Sequence, residues 1–148
     1  MPEEYRNIYK TARRAAGLTQ EAAAEKLGIS VESLRAYETD QRIPPNDVVE
    51  LMVICYNAQH LAYQHLRETN SLMERVVPQL EQRSVLEVAV RIYNRLNRFT
   101  QQHKLDELMQ IAEDGRIDDD ERKVFDEIMG DLQEIVKSGL ELEVFCKE

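Results

Sequence analysis

The sequence contains little that would interrupt a helix and none of the features typical of a secreted or membrane protein. Its 148 residues include only five glycines, four prolines and no tryptophan. No run of about 18 apolar residues occurs, and the amino-terminal segment MPEEYRN lacks the basic and apolar regions of a secretion signal. The abundant Ala, Leu, Glu, Arg and Gln favour helix instead. We therefore expect an all-α protein that is cytoplasmic and has no membrane association.

Cysteine and histidine are also scarce, which bears on metal binding and catalysis. Cys55 and Cys146 lie far apart and have no Cys or His neighbour at the spacing of a metal site. His60, His65 and His103 show no catalytic partner at a characteristic spacing, and no glycine-rich phosphate loop occurs. We therefore expect reduced thiols, no metal site, no cofactor and no enzymatic activity.

Acidic residues outnumber basic ones, and the resulting net charge of -9 disfavours contact with the phosphates of DNA. The excess is unevenly distributed. Residues 1–66 hold seven basic and nine acidic residues, whereas residues 104–148 hold six basic and fifteen acidic ones. Because most of the negative charge lies in the last third of the chain, a DNA-binding surface near the amino terminus is compatible with the composition.

Helix start and stop signals predict five helices within residues 1–68. The first is expected from Glu3 to about Ala16, and Thr19 and Ser30 are suited to cap the second and the third. Two more helices are expected after Pro45. Together they would form one small domain.

The rest of the chain is predicted to form a second helical domain. Pro78 interrupts the helical pattern, so we place a linker at residues 69–83 and an acidic helical domain at residues 84–148. Here Ser84 caps a long helix with one apolar face, and another helix is expected from Asp119 to about Lys137. The tail LELEVFCKE alternates apolar and polar residues, which favours a short strand or an extended arm.

The acidic string EDGRIDDDE at residues 113–121 has two interpretations. Gly115 and Glu121 match the glycine and final glutamate positions of a calcium-binding loop, but two early ligand positions hold a glutamine and an alanine. In the alternative, Gly115 ends one helix, and Asp118 with Glu121 forms a capping box for the next. We favour the helix connection and expect no calcium binding.

The most informative stretch, LTQEAAAEKLGISVESLRAYETDQRIP, covers residues 18–44. Two short helices that cross steeply need a small residue where they approach and a residue that tolerates positive φ in the turn. They also need a branched apolar residue that points back into the angle. Ala24, Gly28 and Leu34 supply these three at separations of four and six residues. The spacing therefore predicts a helix-turn-helix.

With these features the segment resembles the helix-turn-helix of the Xre, Cro and lambda-repressor-like regulators. The run LTQEAAAEKLGIS, the pair Tyr37-Glu38 and the later Arg42-Ile43-Pro44 are similar to the usual pattern of that family, and the similarity extends over residues 5–66. The resemblance implies a five-helix lambda-repressor-like domain that binds double-stranded DNA, followed here by a small helical C-terminal domain.

The resemblance also assigns roles to residues at matching positions. It places Gln20 at a phosphate and against the third helix. It places Val31, Glu32 and Ala36 near base edges in the major groove. Arg42, in the loop after the third helix, is the natural phosphate contact. The implied DNA-binding residues are Gln20, Ser30, Val31, Glu32, Arg35, Ala36, Thr39, Gln41 and Arg42.

Two of these positions depart from the polar residues that are usual in the family. Val31 could contact a thymine methyl group and Glu32 could accept from a cytosine amino group, but neither makes a bidentate pair. Glu32 is equally suited to a solvated position at a helix start, where it favours the helix dipole. Arg13 and Arg14 either face DNA or are simply exposed, and we favour exposure. The target sequence does not follow from these residues.

We interpret the chain as a sequence-specific DNA-binding transcriptional regulator, a repressor, of bacterial or phage origin. Because one such domain covers one half-site, we expect a homodimer formed through the C-terminal domain, unless the apolar stripes of that domain pack only on each other within one chain. The same domain could instead receive a signal from a protein partner or a small-molecule effector. The alternative function is a protein-interaction module that keeps the helix-turn-helix fold without binding DNA.

Overall fold

The computed structural model describes residues 6–146, which form helices joined by turns and irregular segments and contain no strand, so the all-α fold class is confirmed. None of the helices in this range is long and apolar enough to cross a membrane. The chain divides into an N-terminal unit that ends at Val76 and a C-terminal unit that begins at Val77, within the segment predicted to be a linker. The helices are α1 Ile8–Ala15, α2 Gln20–Leu27, α3 Val31–Glu38, α4 Asn46–Tyr56, α5 Gln59–Thr69, α6 Met73–Val76, α7 Val85–Gln101, α8 Lys104–Ala112 and α9 Asp119–Phe145.

Side-chain oxygens cap the helices where the sequence predicts. The hydroxyls of Thr19, Ser30 and Ser84 each accept a hydrogen bond from the backbone N–H three residues later, at 3.1, 3.0 and 3.2 Å. Asp118 and Glu121 form the predicted capping box, in which Glu121 Oε2 accepts from the Asp118 N–H at 3.1 Å. Each cap stabilises its helix by about 1 kcal/mol. The acidic string at residues 113–121 therefore connects two helices.

Gly28 shapes the turn between α2 and α3. Its φ of 69° lies in the left-handed region, where a side chain would be strained. The next residue, Ile29, donates its N–H to the Ala24 carbonyl at 3.1 Å and so closes the end of α2. Ala24 and Leu34 are 2% and 0% exposed where the two helices pack. All three residues of the predicted spacing thus have the structural roles expected of them.

The N-terminal unit has one apolar core that all of its first five helices share. α1 packs against α3, α4 and α5, and α4 packs against α2 and α5. Because α3 contributes two core residues to this cluster, its orientation is fixed by the same burial that holds the unit together. The buried apolar residues are Tyr9, Ala12, Ala23, Ala24, Leu27, Leu34, Tyr37, Val49, Met52, Tyr56, Ala58 and Leu61.

The C-terminal unit is a three-helix packing in which α7 and α8 both lie against the long helix α9. Phe99, Ile111 and Ile128 form its central cluster, and Val88 of α7 is fully buried. Partly buried apolar residues of α8, α9 and the turn between them pack around that cluster. These are Leu108, Ile117, Val124, Phe125, Leu132 and Ile135.

A buried carboxylate joins the segment before α7 to the end of α9. Glu141 is 1% exposed, and its Oε2 accepts the backbone N–H of Glu81 at 2.7 Å. The same oxygen lies 3.4 Å from Nε of Arg83. Leu80, the residue before Glu81, is buried as well. Glu141 therefore holds residues 80–83 in place by charge and by a backbone hydrogen bond.

The first helix begins later than the sequence predicts. Asn7 lies outside α1 and caps it, because its Oδ1 accepts from the Lys10 N–H at 2.9 Å. The prediction of a helix from Glu3 was therefore wrong for residues 6 and 7, and its residues 3–5 lie outside the described range. An N-cap asparagine satisfies backbone donors that the helix itself leaves open, which favours starting the helix after it.

The carboxyl-terminal tail is helical, so the prediction of a strand or extended arm was wrong. α9 continues without a break to Phe145. Ser138 is 2% exposed, and Ile135, Leu142 and Phe145, which share its helical face at three- and four-residue spacing, are partly buried. Burial of that face outweighs the local two-residue alternation of Leu, Glu, Leu and Glu.

A hydrogen-bonded chain links three helices of the N-terminal unit. The hydroxyl of Tyr9 lies 2.7 Å from Nδ1 of His65, and Nε2 of His65 lies 2.8 Å from Oδ1 of Asn46. Since Oδ1 can only accept, Nε2 carries the proton, and Nδ1 accepts from the Tyr9 hydroxyl. Burial lowers the pKa of His65 and raises the pKa of Tyr9 to about 12. His65 is therefore neutral in the folded unit.

This neutral histidine should make the stability of the N-terminal unit depend on pH. As the pH falls below the ordinary histidine pKa of about 6.5, the unfolded chain takes up a proton that folded His65 resists, so the free energy of unfolding decreases. Urea unfolding at several pH values should show this loss, and His65→Gln should flatten the profile. His103→Gln, at a side chain that is 77% exposed, should leave it unchanged. Parallel profiles for the wild type and His65→Gln would contradict the assignment.

Candidate nucleic-acid interface

Helix α3 presents one face to solvent and the opposite face to the core. Leu34 and Tyr37 are buried, whereas Glu32, Arg35 and Thr39 are exposed. This division follows from the helical repeat, because residues three and four apart share a face. The exposed face of α3 is thus fixed in direction by the packing of the residues behind it.

A buried ion pair lies behind α3. Arg13 of α1 and Glu38 of α3 are 6% and 4% exposed, and they pair through two parallel hydrogen bonds. Nε of Arg13 donates to Oε2 at 2.8 Å and Nη2 donates to Oε1 at 2.9 Å. A third nitrogen, Nη1, donates to the Leu18 carbonyl at 2.7 Å. The hydrogen bond with Glu38 raises the pKa of Arg13 despite its burial. The pair fixes α3 to α1 and to the start of α2.

Gln20 extends this network to the surface. Its Nε2 donates to Oε1 of Glu38 at 3.3 Å, and its Oε1 accepts from Nε of Arg35 at 3.1 Å. The guanidinium of Arg35 also lies 3.8 Å from the carboxylate of Glu21, in an exposed and therefore weak ion pair. The bracing of α3 that the resemblance assigns to Gln20 has a direct counterpart in these bonds.

Backbone and side-chain hydrogen bonds hold the turn that follows α3. Gln41 and Arg42 donate their N–H groups to the Ala36 carbonyl at 3.0 and 3.2 Å. Asp40 has a φ of 61°, and its Oδ1 accepts from Nδ2 of Asn7 at 2.9 Å. The same Nδ2 also donates to the Tyr37 carbonyl at 2.8 Å. The turn therefore has one defined conformation.

The side chain of Arg42 lies over an aromatic ring. Its guanidinium carbon is 5.3 Å from the ring centroid of Tyr37, a cation–π contact. The residue as a whole is exposed. A guanidinium held over a ring keeps its outward N–H groups available to an anion, and less conformational entropy is lost when that anion binds.

The nine residues implied by the resemblance lie at the start of α2, along α3 and its ends, and in the turn after α3, and they differ in exposure. Gln20, Val31 and Ala36 are half-buried, and Val31 packs against the core. Ser30 and Thr39 use their hydroxyls within the domain, Ser30 as a cap and Thr39 by donating to the Arg35 carbonyl at 2.7 Å. The exposed residues are Ser30, Glu32, Arg35, Thr39, Gln41 and Arg42.

The sequence interpretation missed the contributions of three residues to this region. Arg13 was expected to be exposed, and it is buried because Glu38 neutralises it. Glu38 lies four residues after Leu34, on the same helical face, so the inward direction of Leu34 already indicated a buried carboxylate. No sequence pattern indicated the role of Asn7, because its two acceptors, the Tyr37 carbonyl and the Asp40 carboxylate, are distant in the sequence.

Further basic side chains lie beside the turn. Arg6, Lys10 and Arg14 line a groove of about 470 Å³ beside α1, together with Asn7, Thr11 and the carboxylates of Glu38 and Asp40. Because Asn7 binds Asp40 directly, this basic groove adjoins the turn that carries Arg42. The region therefore has a local excess of positive charge that the net charge of the chain conceals. Within residues 6–146, no group of three or more His, Cys, Asp or Glu side chains is placed to hold a metal ion.

Comparison with known proteins identifies one family. Residues 10–61 match the model of the family described as helix-turn-helix, which here covers the region from α1 to the start of α5. No curated protein and no solved structure matches the chain. The family match lies entirely within the N-terminal unit and includes the buried ion pair, the turn at Gly28 and the exposed face of α3.

Proposed function

We propose that this protein, whose N-terminal domain is a helix-turn-helix domain of the Xre and lambda-repressor-like family, binds a specific DNA sequence and represses transcription in a bacterium or a phage. The observation that carries the proposal is the exposed face of α3 and the adjoining turn, which are held in one geometry by the bonds from Arg13, Gln20 and Asn7. A surface fixed before binding loses little entropy on contact with the duplex.

In this proposal some residues read the base sequence and others position the protein on the DNA. Val31, Glu32 and Ala36, with Ser30 and Arg35 beside them, meet base edges in the major groove. Gln20, Thr39, Gln41 and Arg42 contact the sugar-phosphate backbone and set the register. Repression then follows from occupancy, because a protein bound at its site excludes other proteins from the same stretch of DNA.

The acidic C-terminal unit does not oppose this function. Most of the excess negative charge belongs to residues 104–148, whereas the basic groove and Arg42 lie in the N-terminal unit. Salt weakens the repulsion between exposed carboxylates and phosphates, with a screening length of about 8–10 Å at ordinary ionic strength. In the proposal, the C-terminal unit joins two chains into a dimer or receives a signal from a protein or a small molecule.

Selection from random or genomic DNA at low salt should recover an enriched sequence, and affinity for it should fall steeply as salt rises. Arg42→Ala should weaken binding to all sequences by about tenfold. It should also reduce the slope of log affinity against log salt concentration by about one, as expected for the loss of one phosphate contact. Glu32→Gln should instead change the preferred base at one position. Lys26→Ala, which removes the same charge from the last turn of α2, should have a smaller effect than Arg42→Ala.

Two results would contradict this proposal. If no sequence is enriched at low salt, or if Arg42→Ala and Lys26→Ala weaken binding alike, the surface around α3 does not read DNA. The alternative, an interaction module that keeps the fold and binds a protein, would then replace the proposal.

A further inference from the structure

Helix α7 is apolar on two opposite faces. On its inner face, Val88 and Phe99 are 0% and 5% exposed. On its outer face, Leu86, Val90 and Tyr93 are 74%, 48% and 68% exposed and follow one another at separations of four and three residues. Those separations place the three side chains along one line of the helix. A helix that is apolar on opposite sides is normally buried on both.

The outer face of α7 also lacks the charge that the rest of the chain carries. Charged residues make up 32% of the sequence, yet among the solvent-exposed positions of α7 only Glu87 and Arg98 are charged. Leu96, which is 46% exposed, widens the strip on one side. A continuous exposed apolar strip of this kind marks an interaction surface.

We propose that this strip pairs with the same strip of a second copy of the chain, so that two α7 helices run parallel across a two-fold axis. Leu86 and Tyr93 take the d positions of a heptad, and Val90 and Asn97 take the a positions. In parallel coiled coils a β-branched residue at a with Leu at d, here Val90 with Leu86, favours two strands. This inference rests on the dimer of the proposed function and specifies its contact surface. The evidence for it comes from the outer face of α7 alone.

Asn97 indicates that the partner is a second copy of the chain in parallel orientation. A lone Asn at an a position is satisfied by the same Asn of a parallel partner, which accepts and donates across the axis. In antiparallel pairing Asn97 would face the end of the strip near Leu86, and its amide would be buried against an apolar side chain at a cost of about 1–3 kcal/mol. The parallel register therefore gives the amide of Asn97 a partner.

The flanking positions are compatible with this arrangement. The e positions hold Glu87 and Asn94, and the g positions hold Ala89 and Leu96. In a parallel pair an e residue lies beside a g residue of the partner, so the two Glu87 side chains do not face each other. The distance along the helix from Leu86 to Asn97 is about 16 Å, at a rise of about 1.5 Å per residue. Two heptads of paired side chains, flanked by Leu96, therefore form the contact.

Light scattering and sedimentation of the full chain at micromolar concentration, without DNA, test the pairing. The wild type should be a dimer, and Leu86→Glu should raise the dissociation constant by about a hundredfold, since each pair would bury two unpartnered charges. Because Leu86 is 74% exposed, Leu86→Glu should leave the fold intact, and an unchanged helical content would verify this. Arg98→Glu, on an exposed part of the same helix outside the strip, should remain a dimer. A monomeric wild type, or a dimer that Leu86→Glu leaves intact, would overturn the proposal.

A cysteine cross-link tests the orientation. In a background with Cys55→Ala and Cys146→Ser, the variant Asn97→Cys should form a disulfide with its own copy under mild oxidation, because equivalent a positions adjoin in a parallel pair. Arg98→Cys should not. A cross-link that forms only between chains carrying Asn97→Cys and chains carrying Leu86→Cys would show antiparallel pairing and refute the parallel register.

The outcomes also separate this inference from the function on which it builds. A dimer with the expected cross-link but no enriched DNA sequence removes the DNA-binding proposal and leaves the α7 pairing in place. A monomer that still selects a DNA sequence removes the pairing and leaves the DNA-binding proposal in place.

Discussion

Glu38→Ala is expected to destabilise the N-terminal unit by about 3–5 kcal/mol, because it leaves the buried guanidinium of Arg13 without its counter-charge. For a unit of this size, each kcal/mol lowers the melting temperature by about 4–8 °C. The unit should therefore melt at least about 12 °C lower than in the wild type. Hydrogen exchange of the amides in α1 to α5 would report this loss separately from the C-terminal unit.

Two further variants show whether the buried pair is the cause. Glu21→Ala removes a carboxylate that is 69% exposed and lies near Arg35, so it should change stability by less than about 1 kcal/mol. The double variant Arg13→Met with Glu38→Leu replaces both charges by apolar groups and should be more stable than Glu38→Ala alone. If the double variant were as unstable as the single one, packing and not unpaired charge would account for the loss.

Glu141→Ala is expected to destabilise the C-terminal unit by about 3 kcal/mol. The change removes a buried acceptor from the Glu81 N–H and a buried counter-charge from Arg83. Because these contacts hold the segment before α7, hydrogen exchange should accelerate first at residues 79–84. Glu141→Gln keeps an oxygen for the backbone N–H but loses the charge, so its effect should lie between those of the wild type and the Ala variant.

A matched control for this series is Glu127→Ala, on the same helix. Its carboxylate is 55% exposed and lies 3.7 Å from Lys104, so its loss should cost little. Equal destabilisation by Glu127→Ala and Glu141→Ala would mean that α9 responds to the loss of any carboxylate, and the specific role of Glu141 in holding residues 80–83 would be wrong.

Local chemistry explains which parts of the fold the sequence predicts well. Caps at Thr19, Ser30 and Ser84, and the left-handed turn at Gly28, depend on interactions within a few residues, and all four were predicted. The spacing of Ala24, Gly28 and Leu34 predicted the helix-turn-helix because steric demands at a helix crossing are met by residues close in the sequence. The family match over residues 10–61 confirms this part of the interpretation.

Contacts between distant residues account for what the sequence did not predict. Arg13 is buried only because Glu38, 25 residues away, neutralises it, and Asn7 reaches Asp40 across 33 residues. The tail was mistaken for a strand because the buried members of its helical face include Ser138 and Glu141, which a hydrophobic pattern does not reveal. Within the candidate site, the positions followed from the resemblance, but the network that holds them became visible only in three dimensions.

The bonds of Gln20 and Arg35 have a consequence for how such a regulator changes its target during evolution. Both side chains are bonded into the network of the buried ion pair, so a substitution at either one alters folding stability as well as recognition. Glu32 is exposed and, within residues 6–146, makes no side-chain hydrogen bond or ion pair. In the proposed function, substitutions at Glu32 therefore change the operator at little cost in stability. After gene duplication, two copies of this regulator should diverge first at Glu32 and last at Gln20.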